Sequence, residues 1–232
     1  MMILMTYNIM HGLDYPKLLQ KEQIIDLDKI SDVIKKYNPN IVALNEVYND
    51  LNGINQASFL AKSLGYKYYY FGRSINLNDH LLYGNAIISK YEIINPVVIP
   101  IEDATTHDED VYYESRTIIK AKINNYNVLV SHFGLAKEEQ KNAIKKIKEV
   151  ITGMDNIIFM GDLNIDETEM PLIDKRLINT SSKAHSKQLT FPSIVPTKKI
   201  DYIYVSENIT VDNTFVCEIV ASDHFPVVTI IN

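Results

Sequence analysis

Short runs of apolar, β-branched residues recur along the chain at positions 3–7, 41–44, 86–89, 117–123, 128–131, 157–160, 200–205 and 227–231. Their length and their wealth of Val and Ile predict strands. Between them the period changes. Over residues 26–37, Leu27, Ile30, Val33, Ile34 and Tyr37 fall on one helical face, and the helix has to end before Pro39. A second helical pattern covers residues 136–152, with Ile144, Ile147 and Ile151 inward and a solvated face of Lys and Glu. A third, over residues 55–64, is closed by Gly65, where a left-handed conformation costs little.

Strands alternating with helices predict an α/β or α+β fold. Residues 122–128 read as a hairpin, because Asn124 and Asn125 tolerate the positive φ of a two-residue turn. Antiparallel pairing at that hairpin predicts mixed sheets and not an all-parallel one. Tyr68, Tyr69 and Tyr70 read as strand and core positions, and the acidic segment 102–114 as an irregular surface loop. No repeat, low-complexity tract or long Pro/Gly/Ser linker divides the chain, so residues 1–232 are expected to form one domain.

With 232 residues and 46% hydrophobic content, the chain can bury a large core. Its net charge of −6 supplies no global positive field to attract a polyanion, which disfavours tight, sequence-independent DNA binding. A divalent cation with a few local Lys or Arg residues can still invert the potential inside a cleft. Cys217 is the lone cysteine, so no intrachain disulfide forms, and its neighbours Phe215, Val216 and Ile219 predict a packed thiol. The N-terminal apolar run lacks the basic segment and cleavage site of a signal peptide, and no run reaches the roughly 20 residues of a membrane helix. A cytoplasmic monomer is the expectation.

Polar residues suited to chemistry sit just after the apolar runs: Asn8, Glu46, His132, then Asp162 with Asn164. Strand ends are where ligands gather in open α/β sheets. Two further clusters, Lys199-Ile200-Asp201-Tyr202 and Ser222-Asp223-His224-Phe225-Pro226, add Asp and His near the C-terminus. Carboxylate and amide oxygens suit Mg²⁺ or Mn²⁺, and Asp and His can direct water and hold a phosphoryl group. Such an inventory meets the needs of phosphate-ester hydrolysis. A closed zinc site fits less well, with one Cys and no His-Glu-x-x-His segment. A serine hydrolase is disfavoured too: there is no Gly-x-Ser-x-Gly, and Ser222 is too close in sequence to Asp223 and His224 to present a relay.

Seven segments in order, Thr6-Tyr7-Asn8-Ile9, Asn45-Glu46-Val47, Tyr83-Gly84-Asn85-Ala86, Ser131-His132-Phe133-Gly134-Leu135, Gly161-Asp162-Leu163-Asn164, Lys199-Ile200-Asp201-Tyr202-Ile203 and Ser222-Asp223-His224-Phe225-Pro226, resemble the motifs of the endonuclease/exonuclease/phosphatase superfamily. The resemblance implies a DNase I-like four-layer sandwich, two packed mixed β-sheets flanked by helices. It implies a divalent-metal-dependent phosphodiesterase using in-line attack of water. Glu46 would be the principal metal carboxylate, with Asn8 beside it and Asp223 ligating directly or through water. Asp162 would position or deprotonate the water, and Asn164 would hold the phosphoryl group or the nucleophile. His224 would contact a phosphate oxygen, with Asp201 fixing its tautomer. His132 resembles a general acid or phosphate ligand, although no carboxylate partner for it is found at positions 83–85. Asn85 and Arg116 complete the phosphate-binding set, Arg116 as a bidentate clamp.

Competing readings stay open at this point. Arg116 could instead form an ordinary ion pair with Glu114, and Asp162 could serve only as a turn residue. His11, His80, His107 and His185 read as surface residues. A phosphomonoesterase acting on a sugar or inositol phosphate would need a narrower pocket, closed by segments such as 76–82 or 102–114. A repair-type endonuclease would need Lys and Arg along its rim. A catalytically silent binding module predicts damage at Glu46, Asp162 or His224, and the sequence has none there.

Overall fold

The computed structural model describes residues 1–107 and 109–232; Asp108, inside the expected loop 102–114, lies outside the described residues. Along the chain the elements are β1 (Met2–Asn8), α1 (Tyr15–Leu19), α2 (Leu27–Tyr37), β2 (Ile41–Asp50), α3 (Gln56–Leu64), β3 (Tyr68–Asn76), β4 (Leu81–Ser89), β5 (Ile94–Pro100), β6 (Thr117–Ile123) and β7 (Tyr126–Ser131). They continue with α4 (Lys137–Val150), β8 (Ile157–Asp162), β9 (Leu177–Asn179), β10 (Asp201–Ser206), β11 (Val211–Val216) and β12 (Val227–Ile231). The helix ends follow the local chemistry. Asp26 and Asn55 cap α2 and α3 by accepting from Lys29 N and Ser58 N, and Asn38 and Gly65 close them in left-handed conformations.

Two six-stranded sheets result, in the orders β11-β12-β1-β2-β4-β3 and β5-β6-β7-β8-β10-β9. The β1–β2 and β7–β8 pairs are parallel and the other strand pairs antiparallel, so both sheets are mixed as the hairpin predicted. That hairpin is β6–β7, with Asn124 at φ 52° in its turn. Side-chain alternation then sorts the core. Leu4, Ile41, Ala43 and Ile87 of the first sheet meet Ile119, Val128, Val130, Ile158 and Met160 of the second, between the sheets. Met5, Val42 and Leu44 point the other way, onto Ile30, Ile34 and Leu60 of α2 and α3. Leu129 and Phe159 pack on Ala143 and Ile147 of α4. The layers are helix, sheet, sheet, helix. Central strands buried on both faces read as continuous apolar runs, which is why they were visible in the sequence.

The strands missing from the predicted runs are β5, β9 and β11, together with most of β3, and all four are sheet edges. An edge strand is half solvated, so it carries no apolar run to find. The short α1, capped by Asp14, also lacks a buried face. No described helix is long and apolar enough to cross a membrane. The thiol of Cys217 is fully buried, as expected from its neighbours.

Candidate active site

The strand ends named above meet on one rim, where a cleft of about 380 Å³ opens between the two sheets. Local backbone devices aim the side chains. β2 does not stop at Glu46 but bulges there: Leu44 pairs with Ala86 and Val47 with Gly84, so Asn45 and Glu46 together oppose Asn85. Glu46 takes φ 56°, a left-handed conformation that turns its carboxylate into the cleft. Asn45, beside it, is buried and ties the sheets together. Its Oδ1 accepts from Asp162 N at 2.9 Å, and its Nδ2 donates to Asn85 Oδ1 at 2.8 Å and to Ser131 O at 3.1 Å. Gly161 lets β8 come this close to β7, since a Cβ there would sit 1.8 Å from Ser131 O.

Asp162 is the hub. Its Oδ1 accepts from Asn164 N at 2.9 Å, an Asx-type turn, so the turn reading and a place in the site coexist. Its Oδ2 accepts from Asn8 Nδ2 at 3.1 Å and lies 3.4 Å from His132 Nε2 and 3.6 Å from His224 Nε2. Burial pushes the Asp162 carboxyl up, but the charge of His224 and the contacts from His132 and Asn8 outweigh it. The carboxyl is held well below its usual range.

His224 sits between two carboxylates, its Nδ1 2.8 Å from Asp201 Oδ2. Burial pulls its pKa down, yet Asp201 and Asp162 pull harder the other way, and it is pushed up to about 10. It is an imidazolium at neutral pH. The 3.6 Å gap to Asp162 is too long for a hydrogen bond, so its Nε2–H remains available.

On the opposite wall, Glu46 Oε1 accepts from Asn8 Nδ2 at 3.0 Å, while Asn8 Oδ1 accepts from Met10 N at 3.1 Å. Asn8 thus presents its amide hydrogens, not its oxygen, to Glu46 and Asp162. Asp223 accepts from Ser222 Oγ at 3.0 Å. Burial raises its carboxyl; the charge of His224 is the next largest influence and opposes that, while Glu46 and Asp162 add smaller upward pushes. Two carboxylates that line the same cleft and supply only oxygens fit a hard divalent cation. Asp162, Asp201 and His224 also bring ligand-type atoms within 4.8 Å of one another. There, however, the imidazolium of His224 already offsets part of the negative charge.

The other predicted residues take definite places. His132 and Arg116 line the cleft, and Arg116 Nη1 reaches Glu114 Oε1 at 2.6 Å and His132 Nδ1 at 2.9 Å. The ion pair with Glu114 therefore forms. Asn164 lines the cleft at φ 49°, its Nδ2 donating to Phe133 O at 3.0 Å. Asn85 is spent inside the sandwich, accepting from Asn45 and donating to Thr117 O at 3.5 Å, and does not face the cleft as a phosphate ligand would.

Three features were not read from the sequence. His11, taken for a surface residue, lines the cleft, stacks on Tyr48 at 4.3 Å and lies 3.9 Å from Glu46. Met10, His11 and Gly12 are successive left-handed residues, and Gln56 of α3 pins the turn by donating to His11 O at 2.7 Å. Asn8 followed four residues on by Gly12 was the available signal. Next, Tyr48, Tyr83 and Tyr112 wall one side, and Leu77 and Tyr112 come from the two segments expected to close a pocket. Finally, a second lobe, also about 380 Å³, continues past the centre and shares Leu135, Asn164, Phe191 and His224 with the first.

A model of the Endonuclease/Exonuclease/phosphatase family matches residues 5–224. No curated relative matches by sequence. Among solved structures, an endonuclease/exonuclease/phosphatase from Beutenbergia cavernae superposes with a TM-score of 0.78 at 22% identity, over 100% of this chain and 71% of that one. The mannosyl-6-phosphatase Bt3783 of Bacteroides thetaiotaomicron gives 0.75 at 17% identity over all of both chains. Truncated TDP2 of Caenorhabditis elegans gives 0.68 at 19%, over 98% of this chain and 96% of that one. At these identities the likeness is one of fold, and it is the same sandwich.

Proposed function

The chain belongs to the endonuclease/exonuclease/phosphatase family, and from that membership we propose that it is a divalent-metal-dependent phosphodiesterase acting by in-line attack of water on phosphorus. The observation that carries the diester reading is the two-lobed cleft, with His224 and Asn164 at the junction of the lobes. A phosphoryl group held there has room for a substituent on either side. In this reading Glu46 and Asp223 would hold Mg²⁺ or Mn²⁺, which would supply positive charge against the negative charge that develops in the reaction.

The protein's own groups do the rest. Asp162 stays ionised throughout the working range, so it orients the attacking water and takes its proton only as the new phosphorus–oxygen bond forms. Asn8 holds the carboxylates of Glu46 and Asp162 in register through one amide nitrogen. The imidazolium of His224 donates Nε2–H to a phosphoryl oxygen where negative charge develops. The bond to the leaving oxygen then breaks, with no covalent enzyme intermediate.

A phosphomonoesterase on a sugar phosphate is the second reading, favoured by the tyrosine-walled lobe and by the full-length likeness to a protein titled mannosyl-6-phosphatase. A polynucleotide is less well matched. Arg116 is the one Lys or Arg on the first lobe among the described residues, and Glu114 neutralises it. The test is hydrolysis of bis-p-nitrophenyl phosphate beside p-nitrophenyl phosphate with Mg²⁺, Mn²⁺ or EDTA. Metal-dependent turnover of the diester is expected. A clear preference for the monoester would overturn the diester reading.

A further inference from the structure

The two histidines of the site are set by opposite partners. His224 Nδ1 faces a carboxylate, Asp201, at 2.8 Å; His132 Nδ1 faces a guanidinium, Arg116 Nη1, at 2.9 Å. A guanidinium has five N–H donors and no acceptor, so His132 Nδ1 has to be the acceptor and carry a lone pair. The ring hydrogen is then on Nε2, which points to Asp162 Oδ2 at 3.4 Å. Asn164 Nδ2, 3.1 Å from the same nitrogen, cannot donate to an N–H; one of its two hydrogens goes to Phe133 O at 3.0 Å, and with this tautomer its approach to His132 is a contact and not a hydrogen bond. Arg116 itself cannot turn away. Its side chain is 8% exposed, and Glu114, 7% exposed, holds the same Nη1 at 2.6 Å. The charged groups around His132 are Arg116 ahead of β6, Glu114 in the preceding loop, Asp162 on β8, and His224 beyond Asp162.

We propose that Arg116, braced by Glu114, is a positioning residue that fixes His132 as a neutral imidazole with its hydrogen on Nε2. His132 then serves as a hydrogen-bond donor to a phosphoryl oxygen and not as a proton-delivering imidazolium. A proton added at Nδ1 would set N–H against N–H and a cation against a cation. The site therefore holds one charged and one neutral histidine, separated by their partners, and the carboxylate absent from positions 83–85 is replaced by an arginine that imposes the opposite state. The donor's catalytic use rests on the phosphoryl-transfer reading; the tautomer does not.

Ring-nitrogen NMR of the histidine-labelled protein, with His132→Asn to assign the signals, reads the tautomer directly without turnover. The expected spectrum at about pH 8 has Nδ1 unprotonated and Nε2 protonated. In the charge-balanced double variant Glu114→Gln with Arg116→Met, part of His132 is expected to carry its hydrogen on Nδ1 instead, and turnover to fall by roughly 10- to 100-fold, as for loss of an outer partner of a site histidine. Arg116→Lys, which also offers only donors, is expected to restore the wild-type tautomer. A wild-type spectrum with Nδ1 protonated overturns the proposal whether or not the double variant folds. If the tautomer holds and neither ester is cleaved, it is the functional reading that fails.

Discussion

The two sheets contribute opposite kinds of surface to the one cleft. On the side of the first sheet, Glu46 of β2 and Asp223 just ahead of β12 both line the cleft, and burial is what chiefly raises the Asp223 carboxyl. On the side of the second sheet each charge has its counter-charge: Arg116 with Glu114, Asp201 with the imidazolium of His224. One half presents two acids with no Lys or Arg partner among the described residues, and the other is satisfied by ion pairs. Acids without such a partner are offset by a cation, whereas charges already paired gain little from one. That difference is the ground on which the proposed cation is assigned to the first sheet's side and the proposed hydrogen-bond donors to the second's.

The sharpest way to break this comparison is Glu46→Gln. Turnover of the diester is expected to fall on the order of 10³-fold, as when a preorganised charge at the reaction centre is lost. Stability should hardly move. Without the Glu46 charge the metal-free protein should unfold within about 1 kcal/mol of the wild type, because Glu46 is partly solvated. Added Mn²⁺ should raise the melting temperature of the wild type and barely shift that of the variant. A variant that responds to Mn²⁺ as the wild type does would remove Glu46 from the metal site.

His224→Ala tests the satisfied half. It strands Asp201 and Asp162 without their counter-charge, and a loss of about 3–5 kcal/mol is expected in denaturant unfolding. Adding Asp201→Asn should recover part of it. The pH dependence follows from both partners. His224 is raised to about 10, so its contribution is complete below the ordinary imidazole range and is lost as pH climbs through about 10. Asp162 is depressed, so its contribution is present above the ordinary carboxylate range and is lost on acidification below it. Wild-type stability should form a plateau between those limits, and His224→Ala should erase the alkaline fall.

What holds the halves in register is Asn45, whose amide spans from β2 to Ser131 on β7 and Asp162 on β8. Asn45→Ala leaves the Asp162 N–H and an Asn85 oxygen without their partner. About 1–3 kcal/mol per stranded group is the expected range in the same unfolding assay, with loss of activity from a displaced Asp162. A neutral outcome would mean that water replaces the amide and that the sheets are registered elsewhere.

How much of this could be read from residues alone depended on distance along the chain. The central strands announced themselves because both faces are buried, and the ends of α2 and α3 because Asp26, Asn55 and Gly65 act within a few residues. Glu46, Asp162, Asp201 and His224 stood out because each follows or precedes an apolar run. The edge strands were hidden by their solvated faces, and the bulge at Asn45 and Glu46 because it exists only in the pairing with β4. Arg116 was visible as an arginine, but its grip on His132 arises from the β6–β7 pairing. The Asn45 to Asp162 bond joins positions 117 residues apart, which no local pattern encodes.

The smallest expected effect concerns the loop that carries Tyr112 and Glu114 to the second sheet's side of the cleft. Glu138, in the first turn of α4, accepts from the amides and hydroxyls of both Thr105 and Thr106, and these bonds hold its carboxyl down at about 2. The group is solvent-exposed, so global stability should hardly respond to Glu138→Ala. Local order should. Faster hydrogen exchange at the Thr105 and Thr106 amides is expected, confined to that segment, together with a modest rise in KM if the tether helps keep Tyr112 and Glu114 at the cleft. In the wild type the same amides should stay protected until pH falls toward about 2, because a depressed carboxylate keeps its bonds down to its own pKa. Unchanged exchange in Glu138→Ala would show that the loop is held by its ends, at Ile101 N to Arg116 O, and that the satisfied half of the cleft needs no tether from α4.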